Sequence, residues 1–292
     1  MPSASTNATI LVFTEVFAPI SLEELNAKAE MMARIDNKYV VRSDDLLALV
    51  PDLREAFDIL DIKEQRVFSY DTRYFDDAEN SAYYEHHQGK RRGFKVRVRN
   101  YVDARLCFLE VKVKGQRGMT EKYRMPYDLA NLARLSPDAA RFAQETYSRQ
   151  YSKAFEYDLL PSLDVRYQRI TLVARAGGER MTIDTDLRFQ SENKVFESGT
   201  GVFIVETKSA IGRGLADRLL RTQGERPTRR CSKYCIGMAA TGQVTRYNRF
   251  LPTLRKLGLT APSPQIGKWS ELRIGLHDKS ASTLPYRLIA AS

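Results

Sequence analysis

From Phe94 to Arg99 apolar and cationic residues alternate strictly, with Phe94, Val96 and Val98 between Lys95, Arg97 and Arg99. A β-strand sends successive side chains to opposite faces, so the run predicts a strand with one apolar and one basic face. Residues 106–114 repeat it. Leu106, Phe108, Glu110, Lys112 and Lys114 share one face, and Cys107, Leu109, Val111 and Val113 share the other. Like charges across paired strands destabilise them, and a solvated basic face would account for one such hairpin. The same pattern returns far along the chain, which that reading does not explain.

Residues 20–33 predict a short amphipathic helix, with Ser21 as N-cap and Glu24 at capping-box spacing. A strand follows at 34–42, placing Arg34, Asp36 and Lys38 on one face, then a helical pattern at 44–57 interrupted by Pro51. Residues 66–75 read as an aromatic and β-branched strand, and 76–92 as a polar connection holding Tyr83, Tyr84, His86 and His87. After a turn at 115–118, a third cationic strand at 119–126 aligns Thr120, Lys122 and Arg124. Helices are expected at 128–134 and at 137–155, the second capped by Ser136 with Pro137 at its first position. Strands resume at 163–174, with Val165, Tyr167 and Arg169 on one face, and at 180–189, with Arg180, Thr182, Asp184 and Asp186 together. A polar loop separates these from residues 201–209, where Ile204, Glu206 and Lys208 share a face. The chain then turns helical, with a basic loop at 226–233 before a helix at 234–240. This gives three segments: an N-terminal helical segment at 1–33, a main domain at 34–240, and a C-terminal tail at 241–292 that is partly ordered.

Composition narrows the partner. The net charge is +10, from 46 Lys and Arg against 36 Asp and Glu, with a pI near 9.5, so an anion is expected. Apolar runs fall short of the roughly 20 residues that cross a bilayer, and the first 13 residues lack the form of a secretory signal. A cytoplasmic protein with no membrane span is expected. Three cysteines in a chain this long argue against a disulfide scaffold, and neither Cys231 with Cys235 nor His86 with His87 has a structural zinc spacing.

About eight antiparallel strands, most of them basic on one face, predict an α+β fold: a closed eight-stranded β-barrel with helices packed outside and a cationic tunnel inside. Two unit charges about 4 Å apart interact by roughly 4 kcal/mol at an effective dielectric of 20, so such a lumen is wet and holds anions. A triphosphate or phosphate chain neutralises it best. Glu206, beside Lys208, suits a divalent metal that bridges phosphates, with a salt bridge as the competing reading. Glu110, beside Lys112, reads as a salt-bridge partner before a ligand, and Asp36 and Asp184 as orienters of lumen cations. None of His86, His87 and His277 lies in a cationic strand, which disfavours chemistry that needs a histidine base. Phosphoryl transfer between phosphates has no such need. Base-stacking aromatics interleave poorly with these cations, so no nucleic acid is expected.

The motifs RxDxKYVV at Arg34 to Val41, YFD at Tyr74 to Asp76, VRVRNY at Val96 to Tyr101 and LEVKVK at Leu109 to Lys114 stand in order along the chain. They are followed by EKYR at Glu121 to Arg124, RYQR at Arg166 to Arg169, RMTIDTDL at Arg180 to Leu187, VETK at Val205 to Lys208 and SKY at Ser232 to Tyr234. Together these resemble the VTC domain, the polyphosphate polymerase branch of the CYTH or triphosphate tunnel metalloenzyme superfamily. The resemblance implies a phosphotransferase that passes the γ-phosphate of ATP to a polyphosphate or pyrophosphate acceptor with Mn²⁺ or Mg²⁺. By motif it implies catalytic cations at Lys38, Arg97, Arg99, Lys112, Arg169, Arg180 and Lys208. It also implies phosphate contacts at Lys122, Ser232 and Lys233, and a metal carboxylate at Glu206. Where the superfamily's hydrolases and cyclases carry ExExK, this chain has RxDxK with only Asp36, which favours the polymerase. A triphosphatase of the same fold and a non-catalytic polyanion-binding module remain the alternatives. Eukaryotic members carry an SPX domain and transmembrane helices; neither is found here, so no coupling to translocation is expected.

Overall fold

The computed structural model describes residues 4–28, 35–115, 120–192 and 194–260. Helix α1 (Ala4–Val16) opens the chain, followed by the two-residue strand β1 (Pro19–Ile20) and helix α2 (Leu22–Lys28). The capping box forms as expected: Glu24 N–H donates to Ser21 Oγ at 3.2 Å, and Ser21 N–H to Glu24 Oε2 at 3.0 Å. The rest of the expected helix, and Arg34, lie outside the described residues. β2 (Ile35–Arg42) leads to α3 (Ser43–Ala48) and α4 (Val50–Ala56), with Pro51 in the first turn of α4, where its missing N–H costs nothing. Then come β3 (Phe57–Leu60), β4 (Phe68–Asp76), α5 (Ser81–Gln88), β5 (Phe94–Tyr101), β6 (Leu106–Lys114) and β7 (Thr120–Pro126). The turn expected before β7 lies largely outside the described residues, as does Met119.

The helix expected at 128–134 is only a 3₁₀ turn, Leu129–Asn131, capped by Asp128, which fixes one N–H and lets the chain bend. α6 (Pro137–Tyr151) starts as expected, with Ser136 Oγ accepting from Ala139 N–H. β8 (Leu160–Ala174), β9 (Arg180–Ser191), β10 (Lys194–Glu197) and β11 (Val202–Ser209) follow, then α7 (Leu215–Thr222), α8 (Lys233–Ala240) and α9 (Leu251–Lys256). Among the described residues no helix is long and apolar enough to cross a membrane.

The hydrogen-bonded strand order is β2-β11-β9-β8-β4-β5-β6-β7, and the pairs along this path are antiparallel. β1 and β3 pair with each other, β3 also with β8, and β10 with β9. The expected α+β fold with a large antiparallel sheet is present. Among the described residues closure by hydrogen bonds is not: β2 and β7 stand at opposite ends of the path, and Thr228 donates its N–H to Lys38 O on β2 instead.

The sheet is nonetheless strongly curled. Laid flat, β6 and β11 would be five strand spacings apart, about 24 Å. Yet Lys112 on β6 and Glu206 on β11 perturb one another's charge, and adjacent residues Ser232 and Lys233 reach Lys95 on β5 and Asp184 on β9.

Alternation explains which face packs. Tyr39, Val41, Met181, Ile183, Phe203 and Val205 point outward onto α1, α3, α4 and α7, and Val96, Val98, Leu109 and Val111 onto α6. At one end of the inward face Leu163, Leu187, Phe189 and Ile204 pack on α8, which is buried on all sides. Gly237 lets helix and sheet touch, since a Cβ there would come within 2.5 Å of Leu163 Cδ2 and 2.7 Å of Phe189 Cδ1. Beyond position 241, where a tail was expected, Val244, Phe250, Leu254, Leu257 and Leu259 join this same cluster. Residues 261–292 lie outside the described ones.

Candidate functional site

Strand register assembles the site in two rows on the inward face. On one side Lys38 of β2 lies opposite Glu206 of β11, with Asp36 opposite Lys208 and Lys208 opposite Arg180 of β9. On the other, Lys95 of β5 lies opposite Lys112 of β6, and Lys112 opposite Lys122 of β7, while Arg97 faces Glu110 and Arg99 faces Phe108. Arg169 of β8 lies opposite Asp184. Ser232 caps α8 by accepting from Cys235 N–H, and Lys233 begins the helix, so the apolar packing of α8 aims both at the cations. All of the candidate cations except Lys122, which stands at the exposed rim, are drawn into the interior or partly so.

Three acids divide these cations. Glu110, fully buried, accepts from Arg97 Nε at 2.8 Å and Nη2 at 2.5 Å, with Arg99 Nη1 at 4.0 Å and Lys122 Nζ at 3.4 Å. Burial alone would raise its carboxyl, but Arg97, Arg99 and Lys122 hold it far below the usual carboxylate range. The salt-bridge reading of Glu110 is the one the geometry favours. Asp184, also fully buried, takes a bidentate contact from Arg169 at 2.5 and 2.8 Å and a further one from Lys233 Nζ. Against its burial, Arg169 and Lys233 bring it down to about 2.

Glu206 differs from both. Its Oε1 lies 3.0 Å from Lys208 Nζ and 3.3 Å from Lys38 Nζ, ammonium groups without the fixed fork of an arginine. Burial opposes its ionisation, yet Lys208, Lys38, Arg169 and Lys112 hold it well below the usual range. Asp36 adjoins it and is shifted upward, first by burial and then by the charge of Glu206. Neighbouring carboxylates that resist joint ionisation are a donor pair a divalent cation satisfies. Among the described residues no group of three or more His, Cys, Asp and Glu gathers to cage a metal. An ion here would complete its shell with water and phosphate oxygens, the usual habit of Mg²⁺.

Lys112 carries the mark of an overcharged interior. Arg97 beside it, then its burial, push its ammonium well below the ordinary lysine range. Lys95 is lowered as well, by burial first, and donates to Ser232 Oγ at 2.9 Å.

Tyr167 was placed on the face of Arg169 from the sequence, but the aromatic floor it forms with Tyr70 was not singled out. Tyr70 and Tyr167 stack at 5.1 Å, Arg99 and Arg169 lie over both rings, and Lys233 lies 4.7 Å from the centroid of Tyr167. Tyr74 receives Arg97 Nη1 at 3.3 Å, and Thr72 receives Arg99 Nε at 3.3 Å. Alternation along 68–76 was the available signal, since it puts Tyr70, Thr72 and Tyr74 on the inward face. The setting of His86, placed in a polar connection from the sequence, was not foreseen either. The residue sits on α5 in the field of Lys95, Lys114, Arg230 and Lys38; Lys95 first, and then burial, drive its imidazole down to about 2.

Residues 33–241 match the VTC domain family. Among solved structures the chain is similar to the PH1819 protein of Pyrococcus horikoshii OT3, at 15% identity and a TM-score of 0.38, over 69% of this chain and 95% of that one. It is also similar to HpAC1 of Hippeastrum, described as an adenylyl cyclase candidate with a dominant triphosphatase activity, at 14% identity and a TM-score of 0.44, over 73% of this chain and 98% of that one. No curated protein matches it.

Proposed function

The chain belongs to the VTC domain family, and from that premise we propose that it transfers the γ-phosphate of ATP to a polyphosphate chain lying along the curled basic face. The observation that carries this reading is the unequal treatment of the acids. Glu110 and Asp184 are committed to arginine forks, while Glu206 stands beside Asp36 among lysines. Arg97 and Arg169, held by those forks, present their remaining N–H groups in fixed directions to phosphate oxygens. Lys38, Lys112, Lys208 and Arg180 supply charge from both rows, and Lys122, Ser232 and Lys233 extend the contact along the chain. The attacking oxygen of a phosphate chain is already ionised, so positioning and charge neutralisation suffice and no histidine base is needed.

Mn²⁺ or Mg²⁺ held by Glu206 with Asp36 would neutralise charge on the oxygens of the transferred phosphate. In this reading the curled sheet wraps the substrate as a tunnel, with its seam between β2 and β7. Incubation with ATP, Mn²⁺ and a pyrophosphate primer tests it: acid-labile chains that lengthen with time are expected, and release of orthophosphate alone would remove the polymerase. That second outcome would identify a triphosphatase of the same fold.

A further inference from the structure

The interior cations do not stop at the site. Lys95 of β5 leads to the turn between α5 and β5, where Lys90, Arg91 and Arg92 follow one another and are all exposed. Lys114, at the end of β6, closes on this turn: its Nζ donates to Lys90 O at 2.6 Å, and its side chain packs against Gly93. From the opposite side Arg230, in the loop before α8, donates to His86 O at 3.0 Å, with exposed Arg229 beside it. Lys95, Lys114, Arg230 and Lys38 all act on His86, so the rim and the interior share one positive field. Glu85 is the acid that Lys90 and Arg92 act on, and its Oε2 makes no hydrogen bond. Among the described residues Lys90, Arg91, Arg92, Arg229 and Arg230 form no ion pair.

Clustered exposed cations attract an anion from solution, and a compact ligand confined to Glu206, Lys112 and Arg169 would not reach them. We propose that Lys90, Arg91, Arg92, Lys114, Arg229 and Arg230 form an outer binding site that grips the emerging part of a long phosphate chain whose end occupies the interior. This rests on the proposed function and adds a direction to it: the chain grows out past the rim that the α5–β5 turn and the loop before α8 form together. A short triphosphate fills the interior alone. A long chain occupies both.

The test compares wild type with the triple variant Lys90→Gln, Arg91→Gln, Arg92→Gln, all three residues exposed and outside the interior site. Binding of tripolyphosphate and of end-labelled polyphosphate some tens of phosphates long is measured across a salt series, with thermal melting as a fold control. Tripolyphosphate binding and melting should be unchanged, while long-chain binding weakens and its log–log salt slope shrinks by about 2, at roughly 0.7 per lost contact to a flexible phosphate polymer. Unchanged long-chain binding, or equal weakening of both ligands, overturns the outer site. So does an equal loss for single-stranded DNA that tripolyphosphate fails to displace, which would make the rim a separate nucleic-acid surface. Failure of the wild type to bind tripolyphosphate would instead strike at the proposed function.

Discussion

Glu206 and Asp184 are both acids in a basic interior, and their partners separate their roles. Asp184 is paired to arginine and lysine so closely that its charge serves to fix Arg169 and Lys233. Its carboxyl is depressed from an unfolded value near 4 to about 2, so its stabilising contribution is complete above pH 4 and is lost as pH falls toward 2. Asp184→Asn should therefore cost about 2 kcal/mol at neutral pH and flatten the fall in stability between pH 4 and pH 2, read by urea unfolding at each pH. Glu206→Ala should act on chemistry instead: turnover drops by roughly 10²–10³, while polyphosphate still binds because the lysines remain. A steady-state assay beside a binding assay checks this, and unchanged turnover would end the metal role. Alternation put Lys38, Arg97, Lys112, Arg169, Lys208 and Glu206 on the basic faces of their strands, and the resemblance to the VTC domain gave the cations their roles. It could not show which acid was spent on which cation, because Arg169 and Asp184 meet across strands 15 positions apart.

At the scale of elements, period-two patterns located the main strands, and the capping residues Ser21, Ser136 and Ser232 all act at helix starts. The elements that escaped lack such patterns. α1 has apolar residues on several sides, and Phe13 and Phe17 become core only through contact with the outward face of the sheet. α5 was read as a connection because its N-cap Asn80 is left-handed and supplies no cap, and its first N–H groups are taken instead by Asp76 and Asp77 from further back in the chain. α8 was found as a helix but not as the packing inside the curl, since an apolar helix does not declare which face of a sheet it joins. Its fit depends on Gly237, where a side chain would strike Leu163 and Phe189. Gly237→Val should destabilise the fold by about 1–3 kcal/mol through overpacking, measured by the denaturant midpoint. Ser232 and Lys233 ride on the same helix, so tripolyphosphate affinity should fall as well even where the protein remains folded.

Across the whole molecule, closure of the sheet was the least legible feature, because the path of hydrogen bonds ends at β2 and β7 while the shared interior is maintained by curvature and by α8. That construction gathers Lys38, Lys95, Arg97, Arg99, Lys112 and Lys208 around a space with few acids; burial first lowers Lys95 and Lys208, and the charge of Arg97, then burial, lowers Lys112. An anion entering the space acts twice. Binding only the folded state at about a hundred times its dissociation constant, tripolyphosphate adds roughly 2.7 kcal/mol, a rise of about 5–10 °C in melting temperature for a domain of this size. It also restores the ammonium state of lysines held below their ordinary range, so binding takes up protons wherever those lysines were deprotonated. Calorimetric titrations of tripolyphosphate in buffers of different ionisation enthalpy should show net proton uptake in alkaline buffer, weakening as the pH is lowered and the lysines are already charged. Binding with proton release across that range would mean that the ligand sits away from Lys112 and Lys208, outside the curl.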